Sequence, residues 1–153
     1  MDDELLKLDN QICFKLYAAS RAVTKLYRPL LDKLNLTYPQ YLVMLVLWQH
    51  DKEKTEASDD LTVREIGQRL QLDSGTLTPL LKRMEQDALI TRNKTAHDGR
   101  ELHISLTTQG RELREEAVQV PTQLLCNEKL PIGDIPQIQQ TLNGLLEALA
   151  SLE

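Results

Sequence analysis

Around Leu89 the apolar pattern of this chain changes period, and that change limits the possible folds more than any other feature. Upstream, from Val63 to Met84, apolar residues recur every three or four positions, the spacing of helices with one buried face. Downstream, Leu89-Ile90-Thr91-Arg92 and Leu102-His103-Ile104-Ser105-Leu106 alternate, as half-buried strands do. Asp98-Gly99 between them is a hairpin-turn dipeptide. Thr62-Val63-Arg64-Glu65 has the pattern of a capping box, in which the Thr hydroxyl serves the third backbone N–H and the Glu reaches back. The short helix it opens carries Val63, Ile66, Gly67 and Leu70 on one side. After a turn through Leu72 and Asp73, a second helix starts near Ser74 and is expected to bury Leu77, Leu80, Leu81, Met84 and Ala88. Pro79 removes a backbone donor near its start, so an irregular first turn is expected there. Helix, turn, helix and hairpin in that order make a winged helix.

The flanks are helical. Leu5, Leu8, Ile12, Leu16, Ala19, Val23, Leu26 and Leu30 step along one helix face, which Pro29 either kinks or ends by opening a second helix. Thr37 is placed to cap the next helix, with Pro39 in its first turn and an apolar body from Tyr41 to Trp48. His50 to Asp60 has no apolar period and reads as a surface loop. Thr107 or Thr108 caps a long helix to about Cys126. After a break through Pro131, Gly133 and Pro136, a last helix uses Ile138, Leu142, Leu145, Leu146 and Leu149. The expected fold is mainly α: one chain, with a winged helix-turn-helix over 37–107 and long terminal helices over 1–36 and 108–153. Those outer helices carry apolar faces that either a monomeric bundle or a twofold dimer must cover. The dimer is the expected solution, because it also spaces two reading helices along a duplex.

With 153 residues, 27% charged and 41% hydrophobic, the chain reads as one globular domain. No apolar run approaches the roughly 20 residues of a membrane span, and Met1-Asp2-Asp3-Glu4 is acidic where a secretory signal is basic, so a cytoplasmic protein is expected. The two cysteines, Cys13 and Cys126, form no CxxC pair and no Cys/His cluster, which argues against a metal site. No cofactor is implied. Either both thiols are buried and inert, or at least one is reactive.

The net charge of −5 is unfavourable for binding phosphates, but its distribution is uneven. Lys82, Arg83, Arg92, Lys94 and Arg100 make the stretch from Pro79 to Arg100 locally basic. On the second helix, Ser74, Thr76, Thr78, Lys82, Arg83 and Gln86 lie opposite the core and are candidates for contacting a nucleic acid. On the hairpin, Arg92, Lys94 and Arg100 cluster. Asp98 stands at a spacing that can hold Arg100 by a bidentate pair, as insertion into a narrow minor groove requires.

Leu72-Asp73-Ser74-Gly75-Thr76-Leu77-Thr78-Pro79-Leu80-Leu81-Lys82-Arg83-Met84-Glu85, with Leu89-Ile90-Thr91-Arg92, Asp98-Gly99-Arg100 and Leu106-Thr107, resembles the MarR family of regulators. Asn10-Gln11-Ile12-Cys13-Phe14-Lys15-Leu16-Tyr17 and Leu36-Thr37-Tyr38-Pro39-Gln40-Tyr41 are similar to its organic-hydroperoxide-sensing repressors. That resemblance, which spans essentially the whole chain, implies a homodimer on a pseudo-palindromic double-stranded operator. The helix from Ser74 would read the major groove and Arg100 would enter the minor groove.

Cys13 has Tyr17 one turn further on its own face, and all four tyrosines fall within the first 41 residues. A phenol can donate a hydrogen bond to a thiolate, and the thiolate attacks a peroxide O–O bond. Tyr27 lies 14 residues beyond Cys13, about 21 Å along a continuous helix, so it can meet Cys13 only across an antiparallel dimer. The resemblance implies that arrangement, and it implies that Cys126 is a resolving thiol pairing with Cys13 of the other subunit. Oxidation would release the operator. The alternatives are release by a small phenolic or other ligand at the dimer interface, with structural cysteines, or an interaction module that never meets DNA. A thiol peroxidase lacks a supporting His/Asp or CxxC arrangement, so no enzyme is expected.

Overall fold

In the computed structural model, residues 3–56, 60–94, 99–125 and 133–153 are described. Helix α1 spans Ile12–Asp32, α2 Tyr38–Glu53, α3 Val63–Leu70, α4 Ser74–Gln86, α5 Thr108–Ala117, α6 Gln119–Leu125 and α7 Ile135–Ala150. Strands β1 (Leu61–Thr62), β2 (Ile90–Lys94) and β3 (Leu102–Leu106) form an antiparallel sheet in the order β1-β3-β2. The hairpin pairs Ile90 with Leu106 and Lys94 with Leu102. Helices α3 and α4 with this sheet are a winged helix-turn-helix. Its core gathers Val43, Met44 and Leu47 of α2 with Ile66, Leu77, Leu81, Met84, Ile90 and Ile104.

The helix starts are built as the sequence dictates. Thr37 accepts from the Gln40 N–H while Gln40 Oε1 accepts from the Thr37 N–H, a capping box with Pro39 in the first turn. Thr62 and Glu65 form the same box at α3. Asp73 caps α4 by accepting from the Thr76 N–H at 2.8 Å, and Thr107, rather than Thr108, caps α5.

The helix ends use a device invisible to a search for glycine. At Asn35, Gln71 and Ala88 the backbone turns left-handed, with φ of 53°, 55° and 58°. In each case the next N–H reaches back five residues: Leu36 to Leu31 O, Leu72 to Gly67 O and Leu89 to Met84 O, at 2.9–3.1 Å. These are Schellman ends carried by non-glycine residues. Ala88 is therefore exposed, not buried as its spacing predicts, because the chain has left the helix before reaching it.

Other expectations are corrected at the ends. The apolar face from Leu5 does not open one helix; Asp3–Leu6 and Leu8–Asn10 are separate 3-10 turns. Asn10 Nδ2 donates to Glu4 O and Gln11 Nε2 donates to Leu5 O, folding the segment back and delaying α1 to Ile12. Pro29 lies inside α1, which runs on to Asp32, and no second helix opens. The surface loop begins only after Glu53. The long helix after Thr107 is divided at Val118, since Pro121 has no N–H to offer the Ala117 carbonyl. The two-residue strand β1 carries no alternation of its own and is found only through its pairing of Leu61 with Ile104. Cys126, Asp98 and the turn at Pro131 lie outside the described residues.

Two joints hold the winged region to the flanking helices. At the first, Trp48 Nε1 donates to Gly110 O at 2.8 Å, and the Thr107 N–H donates to Leu89 O at 3.1 Å. A Cβ on Gly110 would fall 2.2 Å from Leu89 O, so only glycine allows α5 this close. At the second, Lys54 Nζ donates to Asp51 and Asp60 at 3.1 Å each, and Arg111 pairs with Asp51 at 3.2 Å. Ser105 Oγ donates to the other Asp60 oxygen, and His103 Nδ1 lies 3.0 Å from Asp60 O. Burial alone would raise the Asp51 carboxyl, but hydrogen bonds from Arg111 and Lys54 hold it below its usual range. Burial would likewise lower Lys54, and its two aspartates raise it instead.

The outer helices keep apolar faces open. Ile12, Leu16, Val23 and Leu26 of α1 and Ile138, Leu142, Leu146 and Leu149 of α7 are all exposed. Among the described residues no helix is long and apolar enough to cross a membrane.

Two outcomes follow from the joints. Gly110→Ala is expected to destabilise the fold by about 1–3 kcal/mol in urea unfolding, despite alanine's better helix propensity. The depressed carboxylates Asp51 and Glu65, the latter held down mainly by the Thr62 N–H, stabilise the fold fully above about pH 5. That contribution is lost as pH falls through their folded-state values, whereas the Lys54 contribution is lost only on the alkaline side. Asp51→Asn is expected to flatten the acid limb of stability against pH.

Candidate nucleic-acid interface and thiol site

Helix α4 presents Ser74, Thr76, Thr78, Lys82, Arg83 and Gln86 to solvent, all exposed, because Leu77, Leu81 and Met84 pin its other side to the core. The two flanks of α4 differ. Ser74 and Thr78 face a groove of about 1170 Å3 that Arg92 and Arg100 also line. Arg83 instead lines a cleft with Lys33, Asn35, Asp87, Gln109 and Glu116. Lys94 is exposed at the end of β2. The groove thus brings together four of the predicted residues, while Thr76, Lys82, Gln86 and Lys94 are exposed and do not line it.

Three polar residues of α3 and its turn, Arg64, Gln68 and Gln71, line the same groove and were not singled out from sequence. Their signal is the i,i+4 pair Arg64 and Gln68 on the polar side of α3, which reads as ordinary solvated surface until α3 is seen to wall the groove. The acids Asp73, Glu101 and Glu153 lie in the lining as well. The cationic side is therefore Arg64, Arg92 and Arg100.

Arg92 is already engaged. Its Nη2 and Nε lie 2.8 and 2.9 Å from Glu85 Oε2, and its main-chain N–H donates to Glu85 Oε1 at 3.0 Å. These bonds hold the Glu85 carboxyl below its ordinary range. The pair that sequence suggested for the wing, Asp98 with Arg100, cannot be placed, because Asp98 is outside the described residues.

At the other end of the chain, Cys13 is a free, exposed thiol and the second residue of α1. Tyr17, one turn on, is 62% exposed, with the Arg21 guanidinium 5.4 Å from its ring centre. Tyr27 is far along the same unbroken helix, in a cluster with Tyr38 and Tyr41 at centroid distances of 5.0 and 5.9 Å. Burial raises the Tyr27 and Tyr41 phenols above their ordinary value, with Tyr38 adding to both shifts, so they remain protonated donors at neutral pH. Within one chain the structure brings Cys13 and Tyr17 onto one face and leaves Tyr27 apart. Helix α6, which ends one residue before Cys126, packs against α1. Among the described residues no group of His, Cys, Asp and Glu is placed to hold a metal ion.

A family model described as transcriptional regulator SarA/Rot matches residues 25–117. Over 144 residues the chain is 52% identical to the organic hydroperoxide resistance transcriptional regulator of Bacillus subtilis (strain 168), covering 94% of this chain and 92% of that one. The structure of reduced AbfR bound to DNA matches with a TM-score of 0.80 at 32% identity, over 99% of both chains. Disulfide-formed AbfR matches with a TM-score of 0.66 at 34% identity, over 98% of this chain and 97% of that one. AbfR is a protein of Staphylococcus epidermidis.

The groove makes its own test. Arg64→Ala is expected to weaken binding to different duplexes alike, and to lower the slope of log affinity against log salt by about one, as loss of one phosphate contact does.

Proposed function

The chain belongs to the MarR family of winged-helix, DNA-binding transcriptional regulators, and from that premise we propose that it is a cytoplasmic, homodimeric repressor released by organic hydroperoxides. The observation that carries the sensing claim is Cys13: an exposed thiol in a first helical turn, one turn before Tyr17, on a helix whose apolar residues Ile12, Leu16, Val23 and Leu26 are left open in the single chain. In this reading residues 1–36 and 108–153 pair two copies, and 37–107 of each reads half of a pseudo-palindromic operator. The resistance regulator of Bacillus subtilis supports the signal, and the DNA-bound AbfR supports the partner.

The chemistry balances without a cofactor. The Cys13 thiolate attacks one peroxide oxygen, the O–O bond breaks, and the alkoxide leaves to be protonated to an alcohol; the cysteine is now a sulfenic acid. A second thiol then displaces its hydroxyl as water and forms a disulfide. We assign that second thiol to Cys126 of the other subunit. Tyr17, and Tyr27 of the other copy, would donate hydrogen bonds to the Cys13 sulfur. An antiparallel pairing of α1 helices is what removes the roughly 21 Å between Tyr27 and Cys13 of one chain. On DNA, Ser74, Thr76, Thr78, Lys82, Arg83 and Gln86 would contact the major groove and its phosphates. Lys94 and Arg100 would follow the wing, Arg100 into the minor groove with Asp98 orienting it.

One observation favours a second reading. Tyr41, Leu45, Trp48, Val118 and Pro121 line an apolar cleft of about 290 Å3 between α2 and the α5–α6 pair, near the lower size of small-molecule sites. A phenolic ligand seated there would release DNA with both thiols blocked.

The deciding experiment titrates DNA binding before and after cumene hydroperoxide, with wild type, Cys13→Ser and Cys126→Ser. Oxidised wild type is expected to lose at least about a hundredfold in affinity, within the range by which specific binding exceeds non-specific. Cys13→Ser should be indifferent to oxidant, and Cys126→Ser should form no covalent dimer on a non-reducing gel. Release of Cys13→Ser by the peroxide would overturn the sensing claim.

A further inference from the structure

Hydrogen bonds from Arg92 to Glu85 tie the wing to α4. Resting on the reading above, we propose that Glu85 is a positioning residue for DNA binding, holding the wing against α4 through Arg92, and that Arg92 serves as its anchor instead of contacting the nucleic acid.

Glu85 sits near the end of α4, in the last turn, and Arg92 is the third residue of β2. One carboxylate oxygen takes two nitrogens of the guanidinium, at 2.8 and 2.9 Å. The other takes the Arg92 main-chain N–H at 3.0 Å. Strand β2 is an edge of the sheet, since β3 lies between it and β1. An outward N–H of an edge strand normally goes to water. Here it is tied to a side chain of the neighbouring helix, so Glu85 grips both backbone and side chain of the wing. An exposed pair between long side chains does little, because either partner can swing away. This pair is different: both side chains are partly buried, and a main-chain bond adds a point that cannot rotate. Arg92 pairs with Ile104 of β3, the strand into which Arg100 leads, so a small tilt at Arg92 displaces Arg100 relative to Ser74 and Thr78 across the groove.

The charge makes the proposal testable, because removing an acid beside a polyanion should by simple electrostatics strengthen binding. The probe is a duplex selected by the wild-type protein from a random-sequence pool, titrated over a salt series. Glu85→Gln is expected to weaken binding about tenfold, the size of losing a charge-assisted hydrogen bond, with the salt slope unchanged. Arg92→Gln should lose a similar factor with the same slope, and the double variant no more than either. Amide exchange of Arg92, followed by NMR, should accelerate in Glu85→Gln while that of Ile66 and Leu77 does not, which separates a loosened wing from an unfolded protein. Wild-type affinity or better in Glu85→Gln, or a slope reduced by about one in Arg92→Gln, would overturn the inference. In that case peroxide-dependent release by wild type would still stand. Wild type that binds no duplex would remove both.

Discussion

The close approach of Gly110 to Leu89 is the constraint on which the architecture turns. The Leu89 carbonyl sits where the Gly110 side chain would be, and it accepts the Thr107 N–H at the start of α5. Leu89 lies in the short link between α4 and β2, its N–H bonded back to Met84 of α4, so one residue joins α4, the wing and the flanking helix. Thr107 adds to the joint, because its hydroxyl caps α5 and also donates to the Ala88 carbonyl at 2.6 Å. Any reorientation of α5 must therefore carry the root of the wing with it. A packed joint of this kind passes on motion in discrete steps, since close-packed interiors do not deform continuously.

The second joint repeats the coupling with charges. Asp60, at the entrance to β1, draws in Lys54 from beyond α2 and Ser105 and His103 from β3, while Asp51 extends the chain to Arg111 on α5. The sheet is thus fastened to the helices on one side by packing and on another by ion pairs.

Most of the framework was legible because it follows local rules. Thr37, Thr62 and Thr107 announce their helices by chemistry confined to four residues, and the hairpin by its alternation. What escaped depends on distant partners or on unusual residues in common roles. Asn35, Gln71 and Ala88 end their helices in a conformation usually signalled by glycine. Gly110 has no local turn to mark it, and its need for a missing side chain comes from Leu89. The candidate site was legible in the same uneven way. Ser74, Thr78 and Arg100 follow from the pattern of α4 and the hairpin, whereas Arg64 and Gln68 belong to the groove only because α3 packs beside it. Arg92 looked like one more wing cation, and its pairing with Glu85 is a property of the fold. The relation of Cys13 to Tyr27 was constrained by helix length alone, and the unbroken α1 keeps that constraint.

Trp48 gives the first joint a spectroscopic consequence. It is the single tryptophan of the chain, it is 5% exposed, and its indole N–H is bonded to Gly110 itself. Its neighbour in the core, Tyr41, belongs to the cluster of three phenol rings that ends with Tyr27 on α1. Ultraviolet light absorbed by those rings has one indole to pass its energy to, placed where flanking helix meets winged region. The emission colour and lifetime of that indole are thus an intrinsic gauge of how α5 is seated, readable in unlabelled protein.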